Sequence, residues 1–326
     1  MLYPLKFEPL FYEKIWGGDM LTNIHKSCPK DKKIGESWDL ACHDHGVSIV
    51  SNGSYKGKTL KEIIELFKTD LVGKDIDLNR FPLLLKILDA RNILSVQVHP
   101  NDSYALEKEN DLGKTEAWHI LKTYDDPKLV LGTKDITKEE LQNAIKNNSI
   151  KDCLNEVTVK EGETYFIKSG LIHTMKDVLI LEIQQNSDTT YRFYDFDRGR
   201  ELHIDKALDV IDPTLKSTNS TGIKKYYDNY EKTYICYDKN FSLEKFKITG
   251  NVAFKSNEDR FHIYTVIEGS GTIESKDFFE DLNTFDTIMI PASLGEYKIS
   301  GNLKLLKSYV PNLEELQNEI LDNVRQ

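Results

Sequence analysis

The sequence predicts a mainly β protein: two jelly-roll barrels in succession, with a few short helices. Three observations carry that expectation. Short runs alternate apolar with polar residues and are broken by turns bearing Gly and Asn. Stretches with helical spacing are few and brief, so tight turns rather than helices join the strands, which favours a jelly roll over a βαβ sheet. The 326 residues also exceed the roughly 100 to 200 of a typical single domain, so two cores are expected. The boundaries read from the sequence are a first domain over 1–215, a linker over 216–225 and a second domain over 226–326.

Taken in order, Phe7 to Gly18 mixes aromatics with turn residues as strand and loop, with Trp16 a packing anchor. Ile34 to Leu40 alternates as a strand with Glu36 and Trp38 on one face. Cys42-His43-Asp44-His45 sits in a polar turn beside Gly46, and nothing nearby completes a coordination shell, so both histidines are read as surface residues. Thr59-Leu60-Lys61-Glu62 is a capping box, followed by Leu60, Ile63, Ile64, Phe67 and Leu71 at helical spacing up to Gly73. Phe81 to Asp89 is an apolar strand interrupted by Lys86, whose amine must reach water or an anion.

Asp102 can cap a helix through Glu109, and Thr137-Lys138-Glu139-Glu140 opens another. Gly113 to Leu121 is a strand that places Lys114, Glu116 and Trp118 on one face. Strands follow at Glu163 to Lys168 and Val178 to Ile183, and a helix from His203 to Ile211 stops before Pro213. The Ser/Thr-rich stretch Lys216 to Lys225 has no periodicity, which makes it the expected linker. Beyond it, Tyr234–Tyr237, Phe241–Ile248 and His262–Ile267 read as strands. Glu268-Gly269-Ser270-Gly271 reads as a hairpin turn, Asp286 to Ala292 as a further strand, and Leu313 to Val324 as a closing helix.

Composition narrows the function. Hydrophobic residues at 39% and charged ones at 29% describe an ordinary soluble globular chain. A net charge of −10 argues against a nucleic-acid partner or an anionic membrane surface. It leaves room for a phosphorylated small substrate, whose site must gather its own lysines and arginines. The four cysteines, Cys28, Cys42, Cys153 and Cys236, form no Cys-x-x-Cys pair and read as reduced thiols. No basic stretch with an apolar run opens the chain, and no segment approaches about 20 apolar residues. A cytoplasmic protein is expected, monomeric or a weak homodimer.

The chemistry gathers around Ser95-Val96-Gln97-Val98-His99-Pro100-Asn101-Asp102. Residues two apart in a strand share a face, so Gln97 and His99 point together, and both are costly to bury unless something binds them. With Glu116 on the next strand and His173 near a later strand start, they can converge inside a small barrel. Two imidazoles, a carboxylate and an amide suit a divalent metal, zinc first, with manganese, iron or cobalt behind it.

These stretches, with Gly-Lys-Thr-Glu-Ala-Trp (113–118), Gly-Leu-Ile-His (170–173) and Thr-Tyr-Arg-Phe-Tyr-Asp-Phe-Asp-Arg (190–198), resemble the type I mannose-6-phosphate isomerases. Gly-Glu-Ser-Trp (35–38) and Lys86 fall where that family carries similar residues. The likeness runs in order over about residues 3–212. Thr115 and Ser169 stand where longer members often have proline, and the chain has no room for their helical insertion, so it resembles the short bacterial branch. In the second half, the Gly-x-Gly corner and the Asp-x-Ile-x-Ile-Pro-Ala strand resemble the cupin superfamily without its histidines.

The resemblance implies two cupin-type barrels, the first catalytic and metal-bearing and the second without metal. It implies a zinc site of Gln97, His99, Glu116 and His173, one ion per chain. Arg192 would be catalytic or substrate-binding, Asp188 a proton-transfer group, and Lys86 and Lys114 would hold the phosphate. The implied reaction interconverts mannose 6-phosphate and fructose 6-phosphate through an enediol. Two other functions fit parts of the pattern: a non-catalytic bicupin that binds sugar phosphate, and an iron cupin oxygenase. The oxygenase has no need for the three cations Lys86, Lys114 and Arg192.

Overall fold

Sheet accounts for 46% of the chain and helix for 18%, and the computed structural model, which describes residues 1–324, forms the expected curled sheets. Two compact units divide the chain, and neither is continuous in sequence. One holds Met1–Leu10, Asp39–Leu84 and the segment from Thr221 onward; the other holds Phe11–Trp38 and Leu85–Ser220. The expected boundaries at 215 and 226 run in chain order, whereas the compact units do not. Strand pairing is the reason: Leu5–Glu8 lies antiparallel to both Thr287–Ile290 and Ile49–Val50, with Leu5 opposite Met289 and Phe7 opposite Val50. Beginning inside the expected linker, Ile223–Tyr226 is a strand paired with Tyr230–Tyr237.

In the unit containing Thr221 onward, a nine-stranded sheet runs Ile223–Tyr226, Tyr230–Tyr237, Ser242–Lys255, Glu296–Tyr309, His262–Ser275, Thr287–Ile290, Leu5–Glu8 and Ile49–Val50. Phe278–Asn283 branches from His262–Ser275. Phe246, Ile248, Tyr264, Val266, Ile288, Ile299 and Leu305 form its core. Glu268–Gly271 is not the expected hairpin turn: the strand His262–Ser275 continues through it, with a register shift between Val266 and Glu268. The glycines serve close approach instead. A Cβ on Gly271 would lie 2.1 Å from the Ser300 carbonyl oxygen, and Gly269 has φ +80°.

The other unit is built on a sheet ordered Leu154–Thr158, Glu116–Thr133, His173–Gln185, Leu83–Ala90, Leu10–Gly18 and Ile34–Leu40. Thr164–Ile167 pairs with Glu116–Thr133, and the three-residue strand Val96–Val98 bridges His173–Gln185 and Tyr191–Tyr194. Its core has two clusters, one around Trp118, Ile120 and Leu131, the other around Val96, Val98 and Phe193.

Both threonine capping boxes form, with Thr59 and Glu62 opening Leu60–Phe67 and Thr137 and Glu140 opening Lys138–Lys146. The first helix ends at Lys68, where φ turns to +49°, before a short turn of helix over Thr69–Val72. Asp102–Glu109 is capped by Asn101, whose side chain accepts from the Tyr104 amide, rather than by Asp102. Asp102 is the first residue inside the helix, where a carboxylate favours the positive end of the helix dipole. Among the described residues no helix is long and apolar enough to cross a membrane.

Candidate active site

Register brings the expected ligands together. Gln97 lies opposite His173 on one side and Arg192 on the other, so these three side chains share a face. His99 follows two residues after Gln97, and Glu116 begins the strand Glu116–Thr133 that borders His173–Gln185. His99 Nε2 lies 3.1 Å from His173 Nε2. Glu116 carboxylate oxygens are 3.6 Å from His99 Nε2 and 3.7 Å from His173 Nε2. The Gln97 amide is 3.3 Å from His173 Nε2. His99, Glu116 and His173 are at most 1% exposed.

The hydrogen bonds around this nest assign its protons. His99 Nδ1 faces the Thr189 carbonyl at 2.9 Å, and His173 Nδ1 faces the Leu171 carbonyl at 2.9 Å. A carbonyl only accepts, so both Nδ1 atoms carry hydrogen and, in the neutral ring, both Nε2 atoms present lone pairs. Burial keeps the rings neutral: with Lys114 and His173 adding to it, burial holds His99 well below the usual imidazole value, and it brings His173 down to about 4. Two lone pairs therefore face each other. Neither oxygen of Glu116 receives a hydrogen bond of ordinary geometry, although the Lys114 ammonium stands 3.3 Å from one. Acceptors that converge in a dry pocket need a cation between them, and this nitrogen and oxygen set fits a divalent metal. The nest is a metal-binding site.

A cavity of about 270 Å³ opens beside it, lined by Lys14, Glu36, Lys86, Gln97, Lys114, Glu182, Asp188, Arg192 and Arg200 among others. All the residues singled out from sequence thus meet at one place. Lys86, 3% exposed, has its ammonium 3.7 Å from each of Glu36, Glu182 and Asp188, and 4.8 Å from the Trp38 ring centre. Burial alone would lower its pKa, but the surrounding carboxylates raise it above the ordinary lysine value, so the amine stays charged. Lys114 reaches His99 Nε2 at 3.2 Å.

Arg192 is half-buried; its Nη1 donates to the Glu201 carbonyl at 3.0 Å, and its Nε has no hydrogen-bond partner. Asp195 is already engaged by Arg198 and Arg200, so Arg192 is not a rim ion pair. Three charged cavity residues escaped the sequence reading: Lys14, Arg200 and Glu182, which accepts from the Trp118 indole at 2.9 Å. Glu182 interrupts the apolar run Leu179-Ile180-Leu181 as Lys86 interrupts its own, so the signal was there to read.

Glu36 makes the site testable by pH. Burial pushes its carboxyl up, but Lys86, Lys14 and the Trp38 indole bring it down to about 2. A carboxyl lowered on folding stabilises fully above its unfolded value of about 4.3, and that contribution disappears as pH falls towards 2. Denaturant unfolding between about pH 6 and about pH 2 should therefore show a shallower acid loss of stability in Glu36→Gln than in the parent. Identical slopes would remove Glu36 from the network.

Comparison with known proteins adds independent support. Residues 5–117 match the family model described as phosphomannose isomerase type I, catalytic domain, and residues 230–310 match mannose-6-phosphate isomerase, cupin domain. The chain is 40% identical to mannose-6-phosphate isomerase ManA of Bacillus subtilis over 318 residues, covering 94% of this chain and 99% of that one. It is 35% identical to mannose-6-phosphate isomerase of Streptococcus mutans, covering 95% and 99%. The crystal structure of mannose 6-phosphate isomerase from Bacillus subtilis superimposes with a TM-score of 0.87 at 34% identity, covering 94% and 99%.

Proposed function

Because the chain belongs to the type I phosphomannose isomerase family, we propose that it interconverts mannose 6-phosphate and fructose 6-phosphate by moving a proton between C2 and C1. One observation carries the reading: the His99–Glu116–His173 nest adjoins the cavity that holds Lys86, Asp188 and Arg192. The alternatives of a binding-only bicupin and an iron oxygenase have no comparable support.

Gln97, His99, Glu116 and His173 would hold the ion, zinc being the best fit to two imidazoles and a carboxylate, and the bound ion supplies a Lewis acid for the sugar oxygens. Among the described residues this is the one His/Cys/Asp/Glu group with ligand spacing, so one ion per chain is assigned, and the unit containing Leu85–Ser220 is the catalytic one. Asp188, at the cavity wall, is the carboxylate assigned to carry the proton between C2 and C1. Arg192, facing Gln97 across the strand pair, places a fixed positive charge where the enediolate oxygen develops.

Lys86 and Lys114 bind substrate in this reading. A phosphate beside Lys86 would also meet Glu36, Glu182 and Asp188, so that ammonium is better matched to sugar hydroxyls, which donate to the carboxylates and accept from the amine. Lys86→Met keeps the apolar stem and deletes the charge. Its KM should rise about 10- to 100-fold, the worth of a hydrogen bond to a charged group, on mannose 6-phosphate and on mannose alike. A rise confined to the phosphorylated sugar would put the phosphate on Lys86.

The overall reading is tested by a coupled assay on mannose 6-phosphate before and after chelation, with metal analysis of the same sample. About one divalent ion per chain is expected, and its removal should abolish turnover. Undiminished turnover by metal-free protein, or none by metal-replete protein, would overturn it.

A further inference from the structure

The other unit carries a second polar cavity that the proposed reaction does not use. It arises from the register of four neighbouring strands. Tyr234 stands opposite Glu244, Glu244 opposite Lys307, and Lys307 opposite Tyr264. Two residues along, and so on the same face, come Tyr309 and His262, while Lys232 starts from the other side, opposite Phe246, and extends its ammonium to within 3.1 Å of Glu244. Two residues the other way the same face carries Phe246, Leu305 and Val266, which belong to the apolar core. One sheet face thus changes from hydrocarbon to charge at one end.

That end is buried. Glu244 is 0% exposed, Arg260 4%, His262 6% and Lys232 7%, around a cavity of about 700 Å³. Burying charges is costly, and a core needs none of them. Partners satisfy part of the set. Glu244 accepts from the Tyr309 hydroxyl at 2.8 Å and lies 3.1 Å from Lys232 and 3.7 Å from Lys307. Lys232 also reaches Glu319 at 2.9 Å, and Arg260 reaches Asp75 at 3.1 Å and Glu315 at 3.3 Å. Those three carboxylates are 47% to 60% exposed, so water screens them.

Three buried atoms have no hydrogen-bond partner: His262 Nδ1, Arg260 Nε and the second oxygen of Glu244. Arg260 Nε and His262 Nδ1, buried beside Lys232 and Lys307 with no acceptor, are groups that the oxygens of a phosphomonoester would satisfy. We infer that this cavity is a second ligand site, taking a small organic phosphomonoester of hexose-phosphate size. Arg260, Lys307 and His262 face the phosphate, and the open oxygen of Glu244 accepts from a hydroxyl of the ligand. The site rests on residues of one unit only and does not depend on the reaction proposed for the other.

Calorimetry of the metal-loaded full chain with sorbitol 6-phosphate, which has no carbonyl and cannot isomerise, tests it. A binding event is expected that Lys307→Met and Arg260→Gln each weaken at least tenfold, and that chelation and Lys86→Met leave in place. Both variants should keep the parent's kcat on mannose 6-phosphate. Should Lys307→Met fail to fold, Arg260→Gln, with a crystal of the parent soaked in inorganic phosphate, decides: density is expected within hydrogen-bond distance of Arg260. The inference is overturned if no event responds to either variant, if every event is weakened with Lys86→Met, or if soaked crystals show nothing in this cavity. In that case the charges are a structural ion-pair cluster.

Discussion

His173→Ala should purify without its metal and lose about a thousandfold or more in turnover. The ring supplies one of two imidazole nitrogens that face each other at 3.1 Å. Its Nδ1 is held by the Leu171 carbonyl, so the lone pair is aimed before any ion arrives. Removing it leaves one imidazole, a carboxylate and a neutral amide, so only two strong donors remain to retain the ion. Lewis-acid stabilisation is worth several kcal/mol, and each ~1.36 kcal/mol is a factor of ten in rate. His99→Ala should behave alike, since Thr189 orients that ring in the same way. Metal analysis beside the coupled assay checks both, with circular dichroism to confirm folding. Either variant keeping full metal and activity would dismantle the assignment, as would a structure with the ion elsewhere.

Arg192→Ala should remain folded, keep its metal and lose about 100-fold or more in kcat, the usual scale for deleting a donor to a developing oxyanion. Substrate affinity should stay within about tenfold, because a group that acts mainly in the transition state moves kcat rather than KM. Folding should suffer little, since the guanidinium donates to a backbone carbonyl, that of Glu201, and the neighbouring Asp195 is held by Arg198 and Arg200. Exchange of the C2 hydrogen with solvent deuterium should slow in step with kcat. An unchanged kcat would return Arg192 to a positional role at the cavity wall.

Much of this site was legible because it obeys strand periodicity. Gln97 and His99 are two apart, Lys114 and Glu116 are two apart, and Lys86 is conspicuous in its apolar run. The second strand of each contact was not legible, since register across a sheet depends on pairing rather than on neighbours in sequence. Hence the carboxylates around Lys86 come from two segments far from it in sequence, Glu36 in one and Glu182 with Asp188 in the other, and no local pattern joins them to the lysine. Gly269 and Gly271 misled for a related reason. Gly-x-Gly reads as a turn, but here it lets the strand pass close to Ser300 and Asn302. Linker composition around 216–225 likewise hid a strand that exists only because Tyr230–Tyr237 is beside it.

The pairing of Leu5–Glu8 with Thr287–Ile290 has a consequence for how the chain is made. A ribosome releases the amino-terminal strand long before its neighbour exists, because domains form as their residues emerge. The unit built from Phe11–Trp38 and Leu85–Ser220 has all its residues once Ser220 is out. Met1–Leu10 and Asp39–Leu84 must wait for the segment beyond Thr221, with the edge of Leu5–Glu8 that meets Thr287–Ile290 unpaired in the meantime. Closing so long a loop is slow, so this unit is the late and aggregation-exposed one during synthesis. The half of the molecule that starts first finishes last.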